Sequence, residues 1–199
     1  MAKPLTPLQA NKFFAALSKD KELYLNMPHT GCFVRAEIIC KKLEQMGVEP
    51  KVVHTKPQPH MLSSDIATKN EGEEKATLHK VVWNFHVAAA VDVADINGRV
   101  QTLVLDPAMF NAPETIYGWA NKIKHNEIPL QAQDTVVLSG AKAKMQLDKY
   151  WQQSGHSNAK MFFAAQPDRF AGETILRFPS SWYRGQQQIL NSIANKTNS

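Results

Sequence analysis

Apolar residues recur at helical spacing twice near the start of the chain and crowd together in its middle. Between residues 6 and 19, Leu8, Phe13, Phe14 and Leu17 share the buried side of a helix that starts at Thr6-Pro7. Residues 23–30 break the pattern, with Pro28 stopping any helix. Cys32, Ala36, Ile39, Leu43 and Met46 then step by three and four, predicting a second helix from Gly31/Cys32 to Met46, closed by Gly47. Lys41, Lys42, Glu44 and Gln45 fall on its wet side. A short strand is expected at residues 51–55, followed by a long polar loop over residues 56–77, a length typical of lids and binding loops. Residues 81–94 are apolar on both faces except at Asn84, His86 and Asp92, as in one central strand. Residues 100–105 mirror it across Asp95-Ile96-Asn97-Gly98, a hairpin turn sequence. Beyond Asp106-Pro107 the pattern predicts a helix at 113–125, strands at 135–138 and 174–178, and a closing helix at 181–195. The expected fold is α+β, a central antiparallel sheet packed by helices, with residues 1–199 as one domain.

Composition narrows the function classes. The 199 residues are 43% hydrophobic and 21% charged, and no apolar stretch approaches the roughly 20 residues of a membrane-spanning helix. The N-terminus lacks the basic patch, apolar run and small-residue cleavage site of a secretory signal, so a cytoplasmic setting, or export by a dedicated non-Sec machine as for an effector or toxin, is expected. The net charge of +5 is uneven: residues 1–138 carry 15 basic and 15 acidic side chains, residues 139–199 carry 8 and 3. That excess suits an acidic partner surface, and no nucleic-acid-binding signature accompanies it. His54, His60, His79 and His86 lie within a short span, but without HExxH or CxxC spacing, so no metal is expected.

The two cysteines, Cys32 and Cys40, sit eight residues apart on one predicted helix. That places them about 12 Å apart along its axis, too far for a disulfide. Two free thiols suit a reducing compartment or a protein that needs a thiolate. Cys32 occupies the first turn of its helix, directly after Gly31, where unpaired backbone N–H groups and the helix dipole favour a thiolate and can hold an oxyanion. A buried thiol capping a core stripe is the plainer reading of a lone cysteine. His86 lies in an apolar run, where an imidazole must find a partner or lose its charge. Asp106 ends the partner strand, locked by Pro107, and capping of a turn would by itself account for it. Together the three supply a nucleophile, a base and the group that orients the base.

Strand parity sets a condition on this grouping. A two-residue Asn97-Gly98 turn would pair residues whose numbers sum to 195, facing Asp106 to Ala89 and away from His86. An even sum is required, as given by an odd-length loop with Gly98 in the left-handed conformation, by a bulge, or by Asp106 lying beyond the ladder.

Three segments carry a family resemblance. Thr30-Gly31-Cys32-Phe33-Val34-Arg35-Ala36, Trp83-Asn84-Phe85-His86-Val87-Ala88 and Leu105-Asp106-Pro107-Ala108-Met109-Phe110 resemble, in order and spacing, the nucleophile, histidine and aspartate segments of the bacterial protein-glutaminases. The resemblance covers about residues 28–110. It implies a papain- or transglutaminase-like cysteine amidohydrolase that converts glutamine in proteins or peptides to glutamate and ammonia, through a thioester and with no cofactor. The implied catalytic residues are Cys32, His86 and Asp106, with Gly31, Trp83 and Asn84 as candidates for binding substrate or its oxyanion. A transglutaminase or cysteine protease would use the same three groups with a different acceptor or amide. A non-catalytic domain that binds acidic partners is the alternative from another class.

Overall fold

The computed structural model describes residues 3–25, 27–28, 30–56, 61–68 and 77–164. The strand predicted at 174–178 and the helix at 181–195 lie outside the described residues, as do Arg169, Arg177, Arg184 and Lys196 of the basic excess. Among the described residues no helix is long and apolar enough to cross a membrane.

A capping box starts α1 (Pro7–Leu17): the Thr6 hydroxyl accepts from the Gln9 N–H, and the Gln9 side chain accepts from the Thr6 N–H. The buried row is Ala10, Phe14 and Leu17 at four- and three-residue steps. Leu8, expected on that side, is exposed, since it lies two residues before Ala10 and so nearly opposite it on the helix. Next comes α2 (Cys32–Gln45), with Gly31 at φ 69° before it and Gly47 at φ 72° after it. Cys32, Ala36, Ile39 and Leu43 are buried as their spacing predicts, whereas Met46 falls on the C-cap and is exposed.

The strands form two antiparallel sheets. The first runs β6-β5-β4-β1-β9, from β1 (Lys51–Thr55), β4 (Val87–Ala94), β5 (Val100–Leu105), β6 (Glu114–Thr115) and β9 (Thr135–Ser139). The second runs β3-β2-β7-β8, from β2 (Leu62–Thr68), β3 (Thr77–Trp83), β7 (Lys124–His125) and β8 (Ile128–Pro129). Two expectations are corrected here. The loop expected at 56–77 contains β2, whose polar sequence still sets Leu62, Ser64 and Ile66 on one buried face, with the Ser64 hydroxyl satisfied by Lys122 O at 2.8 Å. The single strand expected at 81–94 is two strands in different sheets, separated by Asn84, Phe85 and His86. Continuous apolar sequence marks burial on both sides, not an unbroken direction.

The expected helix at 113–125 shortens to α3 (Ile116–Lys122), because Glu114–Thr115 and Lys124–His125 pair as strands on either side of it. Two helices that the sequence reading left unassigned follow β9: α4 (Gly140–Ser154) and α5 (Ala159–Ala164). The five-stranded sheet is covered on both faces. Val52, Val87, Ala89, Val91, Val93 and Leu105 meet α1, α2, α4 and α5, while Val53, Ala88 and Val104 meet the second sheet and α3. The alternation along β4 is that of a strand sandwiched between two cores.

The joint between the sheets is pinned from β1. Thr55 N–H donates to His86 O at 3.0 Å, and the Thr55 hydroxyl both accepts from the His86 N–H at 3.0 Å and donates to His86 O at 3.2 Å. Thr55→Val keeps the shape but leaves the buried His86 N–H without its acceptor, which is expected to cost about 1–3 kcal/mol in denaturant unfolding. A change below about 0.5 kcal/mol would show that this hydroxyl does not hold the joint.

Candidate active site

Three elements converge where the two sheets part. Cys32 is the first residue of α2, which packs chiefly on β4; His86 lies in the segment joining β3 to β4; Asp106 follows the last residue of β5. The register of β4 with β5 pairs Ala89 with Leu105 and Ala94 with Val100, an even sum of 194. The turn closes on the Asp95–Arg99 pair, leaving Ile96, Asn97 and Gly98 as a three-residue loop with Gly98 at φ 76°. Continued by one step, the ladder would set Asp106 across from Ala88, two residues from His86 and on the same face. The parity condition is met, with Asp106 just past the ladder.

His86 Nε2 and Asp106 Oδ2 lie 2.7 Å apart. Since a carboxylate only accepts, the Nε2 hydrogen is on the imidazole. The same Oδ2 accepts a second bond, from the Trp119 indole N–H at 3.0 Å. The His86 ring packs against Trp83 at a centroid distance of 4.6 Å and stacks on Trp119 at 5.5 Å. Its other nitrogen, Nδ1, is buried and makes no hydrogen bond of ordinary geometry among the described residues. With Nε2 taken, Nδ1 is the nitrogen open to Cys32, whose sulfur lies close enough to influence the ring.

Arg35 fixes the approach to Cys32. Its buried guanidinium donates to Met27 O at 3.3 Å and Pro28 O at 3.5 Å, and the Trp83 N–H donates to the same Pro28 O at 3.2 Å. Gly31 needs its missing side chain twice over: φ is 69°, and a Cβ would lie 2.5 Å from Phe163 Cζ. Of the other oxyanion candidates, Trp83 gives its indole N–H to Pro28 O. Asn84 is half-buried in the joint and its side chain makes no hydrogen bond among the described residues.

Burial opposes the His86 cation, but the Asp106 charge and hydrogen bond, aided by Cys32, outweigh it and raise its pKa to about 9. Burial likewise opposes the Asp106 anion, and His86, the Trp119 N–H and the Arg35 charge hold its pKa below the ordinary value. A second buried histidine behaves in the opposite way. His54 Nδ1 faces Thr55 O, which can only accept, so Nδ1 carries the hydrogen and Nε2 accepts from the Tyr150 hydroxyl. With only neutral partners, His54 is pushed down to about 4 by burial. Cys40, also on α2, is pushed up to about 12 by burial and by Glu44 and Glu37.

The site lies under an aromatic cover. Phe33, next to Cys32, meets Tyr150, Trp151 and Phe162 at centroid distances of 5.6, 5.3 and 5.2 Å. Phe163 stacks on Tyr24 at 4.2 Å, and the Trp151 N–H bonds Glu37. Cys32, His86 and Asp106 retain only 6%, 1% and 4% of their exposure, so the described conformation closes the site. Trp119, Tyr150 and Thr55 escaped the sequence reading, and His54 is weighed there only as a metal ligand. Trp119 had one legible signal, since a buried indole N–H needs an acceptor.

A family model described as glutaminase matches residues 10–123, more than half of the chain and a span that includes Cys32, His86, Asp106 and Trp119. The chain belongs to this glutaminase family. No curated protein matches it. Among solved structures, that of a pro- protein-glutaminase is similar at 16% identity and a TM-score of 0.51, over 70% of this chain and 50% of that one. That of a protein-glutaminase is similar at 17% identity and 0.51, over 69% of this chain and 74% of that one. The chain thus spans half the length of the pro- protein-glutaminase. These likenesses establish the shared α+β fold.

The two histidines predict a stability maximum near pH 6.5. His86, raised from 6.5 to about 9, gives stability that is complete below pH 6.5 and lost as pH rises through 9. His54, lowered from 6.5 to about 4, makes the unfolded chain bind more protons between those values, so stability falls as pH drops through that window. Each limb is worth at most about 3 kcal/mol. Melting temperatures of His54→Gln and His86→Gln should flatten the acid and alkaline limbs respectively. Phe163→Ala should open the cover, making iodoacetamide modify Cys32 at least several-fold faster while Cys40 stays slow, as read by peptide mass mapping. Equal acceleration of both thiols would instead indicate general loosening.

Proposed function

We propose that this chain hydrolyses the side-chain amide of glutamine in a protein or peptide, with Cys32 as nucleophile, His86 as acid and base, and Asp106 as its orienter. The observation that carries this reading is the buried Asp106–His86 pair, whose remaining nitrogen, Nδ1, makes no hydrogen bond of ordinary geometry among the described residues and is open to a cysteine at a helix N-terminus in a chain of the glutaminase family.

Cys32 Sγ attacks the amide carbon, and the carbonyl oxygen becomes an oxyanion near the start of α2. There the Cys32 backbone N–H has no acceptor within the helix and is free to donate to it. His86 Nδ1–H passes its proton to the amide nitrogen, which leaves as ammonia as the C–N bond breaks, and a γ-glutamyl thioester remains. Water then enters, gives a proton to His86 Nδ1 and attacks the same carbon. The C–S bond breaks, releasing glutamic acid, whose carboxyl proton goes to solvent, and Cys32 and His86 return to the state in which they began. Asp106 stays ionised throughout and holds the cation that forms at each proton transfer. The family supports water as the acceptor in place of an amine, and a side-chain amide in place of a backbone amide as the substrate. A glutamine side chain reaches Cys32 only when the Tyr150–Phe163 cover moves aside, so a flexible substrate segment is favoured over a rigid surface.

Incubation with unfolded proteins should give a mass gain of about one dalton per glutamine converted, with stoichiometric ammonia. Cys32→Ala and His86→Ala should each lower kcat by at least about a thousandfold. A Cys32→Ala chain with undiminished ammonia release would sink the proposal. Cross-linked products in place of glutamate would move the assignment to transglutaminase chemistry.

A further inference from the structure

We propose that Trp119 is a positioning residue for this reaction: its N–H fixes the Asp106 carboxylate and its ring fixes the His86 imidazole, keeping Nδ1 aimed at Cys32. The inference rests on the Cys32–His86–Asp106 reading above. Asp106 Oδ2 accepts from His86 Nε2 at 2.7 Å and from Trp119 Nε1 at 3.0 Å. One donor leaves a carboxylate free to rotate about its Cβ–Cγ bond, whereas two donors converging on one oxygen set its plane. The Trp119 ring also stacks on His86 at 5.5 Å and 22°, so a single side chain constrains both members of the pair. An indole face also favours a cationic imidazole over a neutral one.

Trp119 can do this because α3 is itself held. The Thr115 hydroxyl caps it by accepting from Gly118 N–H at 2.9 Å, and Trp119, Ala120 and Ile123 are fully buried in the core beneath the second sheet. Asp106 is anchored at its backbone, its carbonyl accepting from the N–H groups of Met109 and Phe110 at 3.0 Å each. The ring contact alone would be expected of any core tryptophan. The bond from its N–H to the orienting oxygen is what makes it a part of the reaction geometry.

The test removes the N–H while keeping the ring. Trp119 is replaced by benzothienylalanine, which puts sulfur where the indole nitrogen stood, and in parallel by Phe. The substrate is a blocked peptide with one internal glutamine, and ammonia release is followed across pH. The benzothienyl chain should show kcat lowered by about tenfold with KM within about twofold, the size expected for one hydrogen bond to a charged group. Its acid limb should move to higher pH, because Asp106 loses a donor that favours its ionised form. In an Asp106→Ala background, which offers the indole N–H no side-chain acceptor, the same replacement should cost less than about twofold, since Trp119 acts through Asp106. A wild-type kcat and acid limb in the benzothienyl chain, or an undiminished loss in the Asp106→Ala background, would overturn the inference. Cys32→Ala is run alongside: an inactive Cys32→Ala chain with a wild-type-like benzothienyl chain removes only the role of Trp119. An active Cys32→Ala chain removes the triad reading and this inference together.

Discussion

The arrangement depends on one buried charge pair. Removing His86 and Asp106 from water costs several kcal/mol per ion, and their attraction offsets this only when the geometry is good and the remaining polar atoms are satisfied. Each surrounding feature serves one of those conditions. The even register of β4 and β5 sets the two residues on one face, and the three-residue loop with left-handed Gly98 supplies that register. Thr55 pins the His86 backbone, and Trp119 fills a second site on the carboxylate. Arg35 adds a positive charge that reaches both Asp106 and Cys32, and two backbone carbonyls satisfy its own guanidinium. Among the described residues His86 Nδ1 makes no hydrogen bond of ordinary geometry, and that is the nitrogen the proposed chemistry uses.

The gap between β3 and β4 creates the room for this pair. Were residues 81–94 one strand, His86 would be a ladder residue between two neighbours, with its ring confined to a sheet face. Because β3 leaves for the second sheet, Asn84, Phe85 and His86 cross between the two cores, and His86 meets α2 from one side and α3 from the other. The indoles that contact its ring come from β3 and α3, while the thiol comes from α2. Such a meeting of elements from both faces of a sheet is available only at a strand end, where the sheet no longer separates them.

What the sequence made legible follows the same line. Cys32, His86 and Asp106 could be read because each is chemically out of place: a thiol at a helix start, an imidazole in an apolar run, a carboxylate locked by proline. Helix α2 and strands β1 and β5 could be read because their periodicity is local. The split of β3 from β4 was hidden because apolar continuity looks the same in one strand or two. β2 was hidden because buried serines read as loop, although Ser64 spends its hydroxyl on Lys122 O. Trp119, Tyr150 and His54 take their roles from partners 13 to 96 residues away, and no single-sequence pattern encodes those pairings.

The two buried histidines separate environment from residue type. His54 and His86 are both fully buried and both in contact with aromatic rings. Burial disfavours the cation equally in kind, so burial does not decide their difference. His86 faces a carboxylate and stays cationic to about pH 9; His54 faces a carbonyl and a phenol and stays neutral down to about pH 4. A neutral His54 is what its position demands, because only an unprotonated Nε2 can accept from Tyr150 and so tie α4 to β1. A second cation there would also repel the one on His86. The chain therefore keeps one imidazole cationic beside a carboxylate and the other neutral within the cover over Cys32, and the choice of hydrogen-bond partner is sufficient to keep the two apart.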